Sequence, residues 1–197
     1  MSLFGSLKLG GCLLGAALLL PAATRSQSLS CRVDAPTAES YRWNFQTEAQ
    51  GLLDNVASVA RNTRGHADQL QSMMWRHDIS WESQALELNQ IRDEVNELGQ
   101  KLCRLETIRR VTSPWERKAI DQAAPLISEL AKDTENAITL LKDNHNNLFM
   151  PAYTSLGTDL YRRSQELTKS VTEFDTFGKI HQQDMHLEKS LGLTKSS

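Results

Sequence analysis

Residues 45–73 read FQTEAQGLLDNVASVARNTRGHADQLQSM. Within this run Phe45, Ala49, Leu52, Val56, Val59, Thr63, His66, Leu70 and Met73 recur in unbroken steps of four and three. That is the heptad period of a helix that buries one stripe against other helices. Gly51 and Gly65 fall inside the run, each at a cost of ~1 kcal/mol relative to alanine in an exposed helix interior, yet the stripe keeps its phase across both. The period predicts one helix from about Ala38 to Trp75, weakened around Arg64 and Gly65.

Three later segments carry related stripes. Leu88, Ile91, Val95, Leu98, Leu102 and Leu105 predict a second helix from Trp81 to about Arg109, after a turn over Arg76–Ser80 in which Asp78 or Ser80 can cap it. Ser113-Pro114-Trp115-Glu116 places a capping serine, a proline at the first helical position and a glutamate able to close a capping box. A third helix begins there on Ile120, Ala123, Ile127, Leu130, Ala137 and Leu141, and Pro125 inside it predicts a kink because it lacks an N–H and crowds the preceding turn. An Asn-rich turn over Asp143–Pro151 leads to a fourth helix from Ala152 to about Leu187, on Leu156, Leu160, Leu167, Val171 and Phe174. Short turns set successive helices antiparallel. The expected fold is all-α, an antiparallel up-down-up-down bundle of four long helices with a kink near Pro125, spanning residues 38–189 and followed by a frayed tail, 190–197.

The segment before the bundle has a different character. Lys8 precedes an apolar run, Leu9–Leu20, then Pro21-Ala22-Ala23 and polar residues. This is the outline of a secretory signal peptide, residues 1–26, removed after Ser26 or after Thr24. The run falls short of the ~20 residues a spanning helix needs, so the mature chain is expected to carry no transmembrane segment. Leu9-Gly10-Gly11-Cys12 looks like a lipoprotein signal, but most of the apolar run follows Cys12. Residues 27–37 form a polar leader. Export points to the bacterial periplasm or to secretion, and no asparagine begins an Asn-x-Ser/Thr sequon, which leans toward the bacterial setting.

Composition narrows the function classes. The 197-residue chain is 23% charged with a formal net charge of -2, which argues against nucleic-acid binding through bulk positive charge. Arg104, Arg109, Arg110, Arg117 and Lys118 gather near one turn and read as solvated residues at a helix junction. No Gly-rich phosphate loop, Gly-x-Ser-x-Gly elbow or His-Glu-x-x-His helix occurs, and no Glu-x-x-His pair of the di-iron kind. Glu82, Glu87, Asp93, Glu94 and Glu97 read as the solvated face of the second helix. The expected protein is therefore not an enzyme and holds no cofactor or metal.

Two features remain as candidates for function. His66 lies on the first stripe and reads either as a haem or metal ligand inside the bundle or as an imidazole satisfied by a hydrogen bond. His181 falls near the other end of the bundle, and His77 and His145 fall in turns, so no second convergent histidine is evident. A small-molecule, haem or metal carrier using the interior near His66 is the alternative function. The two turns at one bundle end bring together Met73, Met74, Trp75 and Trp81 with Leu148, Phe149, Met150 and Tyr153. This group is either a lid on the core or an exposed Met- and aromatic-rich surface for an unidentified protein partner. The leading expectation is an exported helical bundle, monomer or homodimer, acting through protein–protein contacts in the cell envelope or outside the cell.

With Cys12 removed, Cys31 and Cys103 are the mature chain's cysteines. The topology brings both to one end of the bundle, and export favours pairing them in a disulfide. The native mature protein should take up no thiol reagent until reduced, then two equivalents. Uptake of two equivalents without reduction refutes the pairing.

Overall fold

A computed structural model describes residues 45–76 and 78–193. The expected signal peptide, its cleavage sites, the leader with Cys31, the first turns from Ala38, His77 and residues 194–197 lie outside the described residues. Four helices pack against each other: α1 (Phe45–Met74), α2 (Trp81–Ile108), α3 (Pro114–Asp143) and α4 (Pro151–Ser190), with a 3-10 turn, Arg109–Val111, between α2 and α3. No strand occurs among the described residues. Among them no helix is long and apolar enough to cross a membrane.

Local chemistry sets the helix starts. Ser80 caps α2 by accepting from the Ser83 N–H at 3.4 Å. At α3 the Ser113 Oγ accepts from the Glu116 N–H at 3.4 Å while the Ser113 N–H donates to Glu116 Oε2 at 2.7 Å, closing the capping box. Pro114 and Pro151 stand at the first positions of α3 and α4, where a missing N–H costs nothing. Pro125 lies within α3, whose helical assignment is unbroken across it.

The buried stripe of α1 differs in detail from the one expected. Ala49, Leu53, Val56, Ala60, Thr63, Ala67, Leu70 and Met74 are each at most 1% exposed. They form a heptad series of their own, sharing Ala49, Val56, Thr63 and Leu70 with the expected stripe, whose Val59 is buried as well. Leu52, His66 and Met73 are half-buried, one residue to the side. The physical reason is that α1 touches both α2 and α4, and the α4 side is faced by alanines. Small side chains there let the backbones draw close. Thr168 Oγ1 shares its one proton between the Ser164 carbonyl of its own helix at 2.7 Å and the Ala60 carbonyl of the neighbouring helix at 2.9 Å, and Gly157 and Gly178 put backbone where side chains would otherwise stand.

The stripes of α2 and α3 match the sequence in full, and that of α4 in part. All six named positions on α2 and all six on α3 are buried. On α4 the core runs through Tyr153, Gly157, Leu160, Ser164, Leu167, Val171 and Gly178, with Leu156 and Phe174 half-buried. Of the junction basics, Arg104 Nε donates to Glu48 Oε1 at 2.6 Å and Arg109 pairs with Asp121 at 2.6 Å.

The glycines separate into two kinds. A Cβ at Gly178 would stand 2.6 Å from the Trp115 ring and 2.8 Å from Gln50 Nε2, whereas one at Gly51 or Gly65 meets nothing within 4 Å. Gly178→Ala should lower stability by ~1–3 kcal/mol through overpacking, outweighing its helix-propensity gain. Gly51→Ala and Gly65→Ala should each raise it, by up to ~1 kcal/mol. Urea denaturation of the three variants checks both signs.

Candidate functional site

The turn after α1 and the turn before α4 meet at one end of the molecule. Three contacts tie them: the Trp81 and His145 rings lie 5.6 Å apart, Gln71 Nε2 donates to Thr158 Oγ1 at 3.3 Å, and Met74 covers Gly157. The eight tip residues then divide by depth. Met74 and Tyr153 are each 1% exposed and belong to the core, and Met73 and Met150 are half-buried. Trp75, Trp81 and Phe149 are 68%, 40% and 45% exposed. Leu148 is half-buried against the core.

The division follows from helix geometry. Met74 is the last residue of α1 in phase with the buried stripe, so its side chain enters the core. Trp75 begins the turn, a hundred degrees further round, and faces out. Burial pushes the Tyr153 phenol far above its ordinary range, and its hydroxyl finds no partner among the described residues. What the tip can do chemically is therefore contact, with large apolar and amphipathic rings held on a firm base.

The second candidate, His66, is engaged on both ring nitrogens. Nδ1 lies 2.8 Å from Glu87 Oε2 and Nε2 lies 3.6 Å from Glu94 Oε1. A carboxylate only accepts, so Nδ1 carries the hydrogen of the closer bond. This corrects the reading of Glu87 and Glu94 as solvated: Glu87 is buried and Glu94 is half-buried, both turned toward α1. Burial raises the Glu94 carboxyl, opposed by His66 and by a bond from Thr63. The carboxylates stand on different nitrogens of the ring and do not converge on one point. Among the described residues, no group of three or more His, Cys, Asp or Glu side chains could hold a metal ion.

Two charged clusters escaped the sequence reading. On α3 and α4, Arg163 pairs with Glu129 and, at 2.7 Å, with Asp133, whose carboxyl is raised by burial and by Asp159. On α1 and α4, Asp54 and Asp175 share a hydrogen bond. Lys179 Nζ lies 2.7 Å from Asp175 Oδ2 and 4.0 Å from Asp54 Oδ1. Two carboxylates facing each other need a proton between them. Burial, then the bond and charge of Asp175, push Asp54 up to about 6. Burial also acts to raise Asp175, but the bonds from Asp54 and Lys179, with the charge of Arg61, outweigh it and leave that group below its usual range. The sequence signal for this pair was positional: Asp175 falls between the stripe residues Val171 and Gly178.

The Asp54 shift fixes a pH dependence. A carboxyl raised in the folded state penalises folding above its folded pKa. The penalty is relieved as pH falls through about 6 and is gone below the ordinary value of 3.8. Glu94 and Asp133 act in the same direction. Asp175 acts oppositely, its contribution being lost at still lower pH. Stability should rise from pH 7.5 to about 5 and fall again in strong acid. The Asp54 side chain is 43% exposed, so solvent screening holds its share to ~1 kcal/mol or less, roughly 2–4 °C in Tm. Thermal melts across this range should show the rise, and Asp54→Asn should flatten it.

Set against family models, curated proteins and solved structures, the chain matches none of them.

Proposed function

We propose that the chain is an exported, non-catalytic helical-bundle protein that acts through protein–protein contacts in the cell envelope or extracellular space. Its contact surface is the tip formed by Trp75, Trp81 and Phe149, rimmed by Met73 and Met150. The observation that carries this reading is the division by depth, with three aromatic side chains at least 40% exposed above a core that Met74 and Tyr153 already close. A lid keeps its rings inside. Exposed aromatics on a rigid base are the side chains that anchor interfaces, because they supply large contact area at little cost in conformational entropy.

The architecture that goes with it is antiparallel, up-down-up-down, with a bend at Pro125. Its support is in the pairings. Glu48 near the start of α1 meets Arg104 near the end of α2, while His66, further along α1, meets Glu87 near the start of α2. Gln50 meets Gln182 late in α4, and Met74 meets Gly157 early in it. The bend would arise because proline supplies no N–H to the Asp121 carbonyl. Export rests on the signal-like N-terminus. The Cys31–Cys103 bond rests on the same reading, because export favours pairing the two cysteines of the mature chain.

Trp75→Ala and Phe149→Ala should leave stability within ~0.5 kcal/mol of the parent, as surface changes do, and should abolish capture of the partner by proximity labelling in the native host. Met74→Ala should cost ~2–5 kcal/mol as a core truncation. If the Trp75 and Phe149 variants destabilise as much as Met74→Ala, the tip is a lid and the reading fails.

A further inference from the structure

The close approach of α1 and α4 has a consequence on the outer face of the bundle. Small residues draw the two backbones together, and the long side chains on either edge stand up as walls. Between them runs a trough of about 730 Å³, open to solvent. That volume falls within the range of small-ligand sites. Its floor is laid by Thr168, Thr172 and Thr176 of α4, spaced one helical turn apart. Their hydroxyls offer a ligand little. Thr168 Oγ1 is shared between the Ser164 and Ala60 carbonyls, and Thr176 Oγ1 donates to the Thr172 carbonyl at 2.8 Å. The Thr172 hydroxyl is shielded from water and has no partner among the described residues. The floor therefore presents methyl groups, continued up the walls by the aliphatic stems of arginine and lysine.

The rim is charged, and its charges are unmatched. Arg61 and Arg64 of α1 and Lys169 of α4 line the trough and are exposed. The contact of Thr168 with Ala60 sets the next residue on each helix, Lys169 and Arg61, level with each other across it. Among the described residues none of the three forms an ion pair or a hydrogen bond. Six arginines elsewhere do: Arg76, Arg92, Arg104, Arg109, Arg162 and Arg163 each hold a carboxylate. Two acids also line the trough. Glu166 Oε1 is engaged by Arg162 Nη1 at 3.0 Å. Glu173 follows Lys169 by four residues, the weaker order for a helical pair, and balances one charge of the three. Arg61 acts on Asp175 through its charge, but Asp175 is already held by Lys179 at 2.7 Å. The Gln165–Lys169 end is thus left cationic, over a carbon floor that runs on to Thr176, about 16 Å from Gln165 along the helix axis.

Past the trough α4 runs on alone. Residues 179–190 are all exposed, and Phe177, Ile180, Leu187 and Leu191 form an uncovered apolar stripe there. Nothing in the molecule points to what lies on that stripe. The trough differs, because its charge and its floor together specify the chemistry of an occupant.

We propose that the α1–α4 trough binds a single-tailed amphiphile, with an oxyanion head (phosphate, sulfate or carboxylate) held by Arg61, Arg64 and Lys169 and an alkyl tail laid over Thr172 and Thr176. Guanidinium groups grip oxyanions with paired N–H donors, and the tail gains by covering methyl groups. The site lies on the side of the bundle and is independent of the contact surface at the tip.

The test is calorimetric titration of the mature chain with dodecyl phosphate kept below its micelle concentration, and separately with inorganic phosphate and neutral dodecyl maltoside. It is repeated on Arg64→Gln, Lys169→Gln and Thr176→Trp, all at exposed positions, with helicity checked by circular dichroism. Dodecyl phosphate should bind at one site, at least about tenfold more tightly than either other probe. Each charge removal should weaken it about tenfold, the worth of one charge-assisted hydrogen bond, and Thr176→Trp should weaken it by filling the tail's place. If any of the three substitutions leaves dodecyl phosphate binding unchanged, the amphiphile lies elsewhere and the proposal fails. Inorganic phosphate binding as tightly as dodecyl phosphate overturns the tail, and dodecyl maltoside doing so overturns the head. Flotation with phosphatidylglycerol vesicles separates a free ligand from a lipid surface: capture by vesicles without binding of monomeric dodecyl phosphate also overturns the proposal.

Discussion

The Thr168 hydroxyl reaches across a helix boundary to within 2.9 Å of the Ala60 backbone carbonyl, sharing its proton between that oxygen and the Ser164 carbonyl of its own helix. A side chain that short reaches a neighbouring helix's backbone only when the two axes run at the close end of the usual 8–10 Å range. The rest of the bundle is arranged to permit this approach. α1 offers Ala57, Ala60 and Ala67 on the buried side, and α4 answers with Gly157, Ser164, Thr168 and Gly178. Bulk is moved to the flanks, where Met74 lies over Gly157 and Trp115 over Gly178. Interiors packed near crystal density tolerate little change in volume, so these small residues act as spacers of fixed size. The larger leucines and isoleucines of α2 and α3 fill the volume left on the other side.

This constraint explains what could be read from the chain and what could not. The four stripes, the turn positions and the Ser113 capping box follow from local periodicity and hydrogen bonding, and those are written in consecutive residues. The phase of α1 was less legible. Leu52, Val59, His66 and Met73 are bulkier than Leu53, Ala60, Ala67 and Met74 taken together, and a reading weighted by hydrophobic size prefers the bulkier row. Alanine is chosen here for what it leaves out, and closeness to a partner helix has no signature within the helix itself. Glu87 was misread for a related reason. An acid on a charged helix reads as solvated unless the facing helix is known to bring a histidine to it.

The tip was legible as a composition and illegible as a division. Eight apolar side chains near two turns announce a cluster, but whether each faces in or out depends on where its helix begins or ends, and the core Met74 stands next to the outward Trp75. The carboxyl pair of Asp54 and Asp175 lies further from the reach of sequence, since its members are 121 positions apart and meet only through the register of α1 on α4. It is a consequence of that same close approach. Helices held farther apart would let water between the two carboxylates, and neither would need a proton.

At 40 residues, α4 exceeds the 28 to 30 of the other helices, and one continuous rod therefore carries both the tip and the uncovered stripe. From Pro151 to Leu187 the rise is roughly 54 Å, wider than a small globular domain is across. No single small molecule or compact partner spans the two. Their energetics are then separate, and changes made at one end add to changes made at the other with negligible cross-terms. A helix long enough to join two surfaces is also long enough to keep them independent.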